Sequence, residues 1–209
     1  MSSEPAGAGS GPGDDADRLR WNARYQQNAA GMFVPHPLAV LALSLQLPEG
    51  PVLDLASGAS GSALLAAGAG RRVIAVDISE VALGLLGEEA RRRGLGDLLT
   101  LVHADLGTWR PPPGGSSVVL CTGYWDRAVF AAAAGAVMAG GVLGCEAFTA
   151  EAAGIRPGLR AGWCLDPGEP ASLLPAGFSV LAFRDLPDDQ HGAKRRLLAR
   201  RQAGAEGER

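Results

Sequence analysis

Residues 52–61, VLDLASGASG, constrain the fold of this chain more than any other stretch. Val52–Leu55 reads as a buried strand that breaks into small residues around Gly58 and Gly61. RVIAVDISEVAL, residues 72–83, repeats the pattern: an apolar strand over Arg72–Val76 ends on a carboxylate, Asp77, and Ser79 can cap a following helix. Small residues let a backbone approach a ligand, and the free N–H groups of a helix start can donate to it. A tight turn after one buried strand, with an acid at the tip of the next, is how α/β domains hold a nucleoside.

The flanking sequence continues the alternation. The spacing predicts a helix from about Ser60 to Ala67, a helix after Ser79 with Val81, Ala82, Leu85 and Leu86 as its buried stripe, and a strand over Leu98–His103. Glu88–Arg92 and Glu89–Arg93 are spaced for i,i+4 pairs on the exposed side. RPPPGGS takes the place of a long helix before a strand at Ser117–Cys121. A helix from Trp125 to Met138 follows, and Gly140–Gly141 turns the chain into a strand at Val142–Phe148. A short helix near Glu169–Leu174 and strands at Phe178–Arg184 and Lys194–Arg201 complete the pattern. The strands at 52–55, 72–76 and 117–121 are apolar enough for a parallel sheet covered on both faces, and the last two read as an antiparallel pair.

At the start, Asp15 to Asn28 reads as an amphipathic helix and Leu38–Leu45 as a second one after Pro35 and Pro37. Residues 1–14 and 203–209 are expected to be disordered tails around one domain, 15–202, in which 15–47 forms a helical cover and the Gly/Pro-rich 151–168 a flap.

Net charge and cysteine usage narrow the function classes. A net charge of −3 gives no electrostatic case for a nucleic-acid surface, and the basic run KRRLLARR at 194–201 is interrupted as a strand with solvated ends would be. Cys121, Cys145 and Cys164 are widely spaced with no CxxC, so neither a disulfide framework nor a metal site is expected. The apolar runs fall short of a membrane span, and the acidic, Gly/Ser-rich start is unlike a signal peptide, so a cytoplasmic protein is expected.

Each motif has a plainer alternative. Asp54, inside the end of the first strand, makes sense where something nearby needs an acid, yet Ala56, Gly58 and Ser60 depart from the dense glycine fingerprint of dinucleotide loops. Asp77 suits a ribose diol, or else a helix N-terminus. His103-Ala104-Asp105 can present an acceptor to an adenine amino group with Leu106 against the ring, or be an ordinary loop. Glu146 is a buried acid that needs a cation such as Arg127, Arg156 or Arg160. His36 and His191 read as surface loop histidines, and Trp21 more readily as packing beneath the sheet than as a substrate wall.

Taken in order, VLDLASGASG, AVDIS, HADL and MAGGVLGCE resemble the motifs of class I S-adenosylmethionine-dependent methyltransferases. RWNARY (20–25), GYWDRAVF (123–130), FTAE (148–151) and LDPGE (165–169) are similar to segments of a small tellurite-resistance-like subgroup. The resemblance, over about residues 17–201, implies a Rossmann-like, doubly wound, mostly parallel seven-stranded sheet ending in an antiparallel pair. It implies S-adenosyl-L-methionine as cofactor: Asp54 and Gly58 at the methionine portion, Asp77 at the ribose hydroxyls, Asp105 and Leu106 framing the adenine, the backbone near Cys121–Gly123 closing over it, and Ala56 and Ile78 also among the cofactor-binding residues. Trp21, Tyr25, Trp125 and Arg127 are the expected substrate wall, and Glu146 and Tyr124 the candidates for moving a proton. No catalytic metal is implied. The expected partner is a small-molecule methyl acceptor, with no nucleic acid and no membrane, for a monomer or homodimer. A nicotinamide-dependent oxidoreductase would need a denser glycine turn and a catalytic Tyr/Lys or His, whereas the only lysine is Lys194. A non-catalytic cofactor-binding regulator is the other alternative.

Overall fold

Val52–Leu55 (β1) is buried along its whole length in a seven-stranded sheet. The computed structural model describes residues 12–27, 33–156, 158–188 and 192–203. Around β1 stand Val73–Asp77 (β2), Leu99–His103 (β3), Ser116–Thr122 (β4), Val137–Phe148 (β5), Phe178–Leu186 (β6) and Lys194–Arg201 (β7), in the order β3-β2-β1-β4-β5-β7-β6. The first five pair in parallel, and β7 runs antiparallel to both β5 and β6. The strand order reverses between β1 and β4, and a crevice opens at such a switch point beyond the carboxyl ends of the strands. The expected fold class is therefore the observed one.

Helices cover both faces: Pro12–Gln27 (α1), Pro37–Leu43 (α2), Gly61–Gly68 (α3), Glu80–Arg92 (α4) and Arg127–Ala136 (α5). One core layer joins α5 to the sheet through Phe130, Leu53, Leu55, Val119 and Leu143. The other joins α2, α3 and α4 to it through Leu38, Leu64, Leu86, Val52 and Leu120. Burying each such side chain stabilises by about 1.5–3 kcal/mol. The Ala-rich faces of α3 and α5 bring these helices close to the strands.

Several expectations need correction. α1 begins at Pro12, inside the stretch expected to be a tail; residues 1–11 and 204–209 of the two tails lie outside the described residues. Gly140–Gly141 is not the turn before β5 but a bulge within it: Ser116 pairs with Val137, and Val118 already pairs with Val142. α5 accordingly stops at Ala136 instead of reaching Met138. The buried stripe of α4 is Ala82, Leu83, Leu86 and Ala90, since Val81 and Leu85 are only partly covered. Arg92 pairs with Glu89, not Glu88, and Arg93 shares the same carboxylate. The helix expected near 169–174 is a 3-10 turn, Ala171–Leu173. The flap region, expected as a flap rather than regular structure, holds two more such turns, Ala150–Gly154 and Ala161–Trp163. Among the described residues no helix is long and apolar enough to cross a membrane. No group of three or more His, Cys, Asp or Glu among them is placed to hold a metal ion.

Candidate functional site

The turn after β1 is tied to β2 by its backbone. Ser57 N–H donates to the Val76 carbonyl at 3.1 Å, and Gly58 N–H donates to Asp77 Oδ2 at 2.7 Å. Asp77 Oδ1 accepts the Ser79 N–H at 2.8 Å, so each oxygen of this buried carboxylate already holds one donor and keeps lone pairs for another. Burial raises the Asp77 pKa, while the N–H groups of Ser79 and Gly58 work against that shift. Gly58 adopts φ +59°, and a Cβ there would collide with the Tyr25 hydroxyl. Ala56 takes the left-handed conformation (φ +50°) without being glycine, a strain of about 1 kcal/mol or more in the wall of the cleft.

Asp54 lies one layer deeper. It accepts the Ser60 hydroxyl at 2.6 Å, and Ser60 Oγ in turn accepts Ala63 N–H at 3.0 Å as the N-cap of α3. Burial pushes the Asp54 carboxyl up to about 6 against the pull of Ser60, with the Asp77 charge adding to the rise. Gly61 is required because the backbone of Phe33 and Val34 crosses directly over it.

α1 closes the crevice from above. The Ser79 hydroxyl donates to Asn22 Oδ1 at 2.7 Å, and Arg18 reaches Glu80 at 2.7 Å. Tyr25 thereby hangs over the glycine turn, its phenol pushed up to about 12 by burial and by the Asp77 charge. Beneath α1 lies a cleft of about 400 Å³. Ala56, Asp77, Ile78, Asp105 and Leu106 line it, together with Trp21 and Tyr25 of α1. Asp54, Gly58 and Cys121 do not: Asp54 and Cys121 are buried under the turn, and Gly58 is covered by Tyr25. Burial pushes the Cys121 thiol up to about 12, so it is a neutral packing group.

A second cavity, about 320 Å³, adjoins the first and shares Trp21, Arg24, Tyr124, Phe148 and Arg156 with it. Tyr124 belongs to both, and burial raises its phenol pKa, with the Asp126 charge adding to the effect. Trp125 lines the second cavity but is 3% exposed, and its ring packs on Phe130 at 5.4 Å. Trp21 stands in the wall between the cavities rather than beneath the sheet. Arg127 faces neither cavity. It bridges Glu169 and Asp166 at 2.7 Å each, fastening α5 to the end of the flap.

Glu146 finds partners other than those expected. Arg196 on the neighbouring strand pairs with it at 2.6 Å, His36 Nε2 at 3.2 Å and Lys194 at 3.5 Å. Burial raises the Glu146 pKa, but the hydrogen bonds and charges of His36 and Arg196 overcome this and hold the carboxyl at about 2. His36 is no loose surface residue. Its Nδ1 accepts the Leu38 N–H at 3.2 Å as the N-cap of α2, and its Nε2 faces Glu146. His191 lies outside the described residues.

The residues of the two cavities that escaped notice as site residues in the sequence include Arg20, Arg24, Phe148, Arg156, Trp163 and Lys194. The signal for the first two is in RWNARY, where Arg20 and Arg24 stand one helical turn apart on either side of Trp21.

Comparison with known proteins bears on this geometry. Residues 52–141 match the family described as "Methyltransferase domain". No curated protein sequence matches the chain. Among solved structures, geranyl diphosphate C-methyltransferase from Streptomyces coelicolor A3(2), crystallised with S-adenosyl-L-homocysteine, is similar over 93% of this chain and 100% of that one (TM-score 0.71, 13% identity). The 1,6-didemethyltoxoflavin-N1-methyltransferase of Burkholderia thailandensis, also with S-adenosylhomocysteine, is similar over 96% and 93% (TM-score 0.62, 17% identity). TehB from Haemophilus influenzae is similar over 87% of this chain and 67% of that one (TM-score 0.63, 13% identity). The segment that carries the glycine turn, Asp77 and Asp105 thus matches the methyltransferase domain family, and the chain around it has the fold of those enzymes.

Proposed function

We propose that the chain transfers a methyl group from S-adenosylmethionine to a small-molecule acceptor. One observation carries the proposal: Asp77 lines the 400 Å³ cleft at the tip of β2, held by two backbone N–H groups with lone pairs to spare. A ribose diol can donate to those lone pairs. Ile78 and Leu106 supply apolar walls for a purine, and Asp105 supplies an acceptor for its amino group. Arg24, at the junction of the cavities, is a cation available to the cofactor's carboxylate. Asp54, held beneath the turn, favours an ammonium and would repel a pyrophosphate. The residues present fit the group in charge and in size. The tellurite-resistance-like subgroup belongs to the same proposal, supported by the flanking motifs and by the fold shared with TehB.

Bound S-adenosylmethionine supplies an electrophilic sulfonium methyl. The chain's task is to hold the acceptor in line with it and to exclude water. α1 and the flap provide the exclusion. Neither candidate for proton transfer is poised as a base: Glu146 is saturated by Arg196 and His36, and Tyr124 stays protonated.

Calorimetric titration with S-adenosylmethionine, S-adenosylhomocysteine and NAD tests the proposal; binding of the adenosyl compounds and not NAD is expected. Asp77→Asn should weaken S-adenosylhomocysteine about tenfold to a hundredfold, the worth of one charge-assisted hydrogen bond. Failure of both adenosyl compounds to bind refutes the cofactor, and an unchanged affinity of the variant refutes the ribose role.

A further inference from the structure

The second cavity carries a charge that the composition does not foretell. The chain has a net charge of −3, yet Arg20, Arg24 and Arg156 line this cavity against a single carboxylate, Asp17. Asp17 is spoken for by Arg20 at 3.2 Å. Neither Arg24 nor Arg156 has a carboxylate partner within 4.0 Å among the described residues.

These guanidiniums are held by rings. Arg20 lies between Trp21 (5.3 Å) and Trp163 (4.9 Å), and Arg156 lies over Phe148 at 4.6 Å. Arg160, behind the wall, adds its charge on Trp163 at 4.6 Å. A guanidinium stacked by its face keeps its N–H donors in its own plane, oriented for a carboxylate or phosphate. Trp125 lines the same cavity, its indole N–H buried within the wall. The cavity also holds Trp21, Trp125 and Trp163, three of the chain's four tryptophans, so its walls suit a flat ring.

We infer that the methyl acceptor is a planar small molecule bearing an anionic group, anchored by Arg156 with the charge of Arg20 beside it. This rests on the methyltransferase reading for the word acceptor alone, since the cavity's preference for an anion stands without it.

Three naphthyl probes of different charge decide the matter: 2-naphthoate, 2-naphthol and 2-naphthyltrimethylammonium, titrated calorimetrically into the full chain with and without saturating S-adenosylhomocysteine. Naphthoate should bind at least tenfold tighter than naphthol, the ammonium probe weakest, and the preference should shrink with added salt. Arg156→Gln should reduce naphthoate affinity about tenfold and leave naphthol unchanged, which reports that the cavity is intact. Naphthol or the ammonium probe binding as tightly as naphthoate to the unaltered chain overturns the inference. A naphthoate preference without any S-adenosylhomocysteine binding upholds the anion site and overturns the cofactor.

Discussion

Glu146→Gln separates a structural ion cluster from a catalytic base. Glutamine has the shape of a protonated glutamate, so the variant imitates Glu146 with its charge removed. In the native chain the carboxyl is held at about 2 against an ordinary value of 4.5, because His36 and Arg196 outweigh the burial that raises it. A carboxylate whose folded pKa lies below its unfolded one contributes its full stability above pH 4.5 and loses it as pH falls through about 2. A depression of that size corresponds to a few kcal/mol at pH 7 and to roughly half of that at pH 3. The side chain is 4% exposed, so solvent screening takes little from this figure. Urea unfolding of the two proteins, followed by circular dichroism from pH 7 to pH 3, should show a deficit of a few kcal/mol that roughly halves on acidification. Arg196, left buried without its partner, gives the same sign at neutral pH. A variant as stable as the parent at pH 7, or a deficit independent of pH, refutes the reasoning. Loss of methyl transfer at unaltered stability would return Glu146 to the chemistry.

Asp54→Asn should act in the opposite sense. Its carboxyl is raised to about 6, so the charged form weakens the folded state above that pH, and the variant should be more stable at pH 7 by about 1–3 kcal/mol while binding S-adenosylhomocysteine less well. Thermal unfolding with and without ligand checks both signs; a destabilised variant sinks the account of Asp54. Gly58→Ala should cost about 1–2 kcal/mol in backbone strain at φ +59° and expel the Tyr25 ring from above the turn. Unfolding in urea measures the first effect and tyrosine accessibility to nitration the second; a variant with parental stability contradicts the geometry.

How much of this was legible depended on distance along the chain. The strand VLDL, the Ser79 cap and the seven-strand alternation follow from local pattern, and they stand as expected. Asp77, Ile78, Asp105 and Leu106 sit at strand ends that the alternation itself predicts, and they meet in the cleft. What escaped was set by contacts across many residues. Arg196 is 50 positions from Glu146 and reaches it only because β7 pairs antiparallel with β5. His36 reads as a loop residue until α2 packs against β5. Two glycines read as a turn, yet pairing on either side of them absorbs Gly140–Gly141 into one strand. Arg127 has the right charge and the wrong neighbours: the flap brings Glu169 and Asp166 to it, and leaves Arg20 and Arg156 at the cavity.

Ser79 binds three parts of the molecule with one side chain and one N–H: it caps α4, steadies Asp77 and holds Asn22 of α1. Lifting α1 from the cleft would break the Ser79–Asn22 bond, on the residue whose N–H also holds the carboxylate offered to the ribose. That buried hydrogen bond, worth about 1 kcal/mol, is one of the ties that keep the cover in place. Once a ribose engages Asp77, the same serine transmits its immobility to the cover, so departure should be slower than the depth of the cleft alone would give.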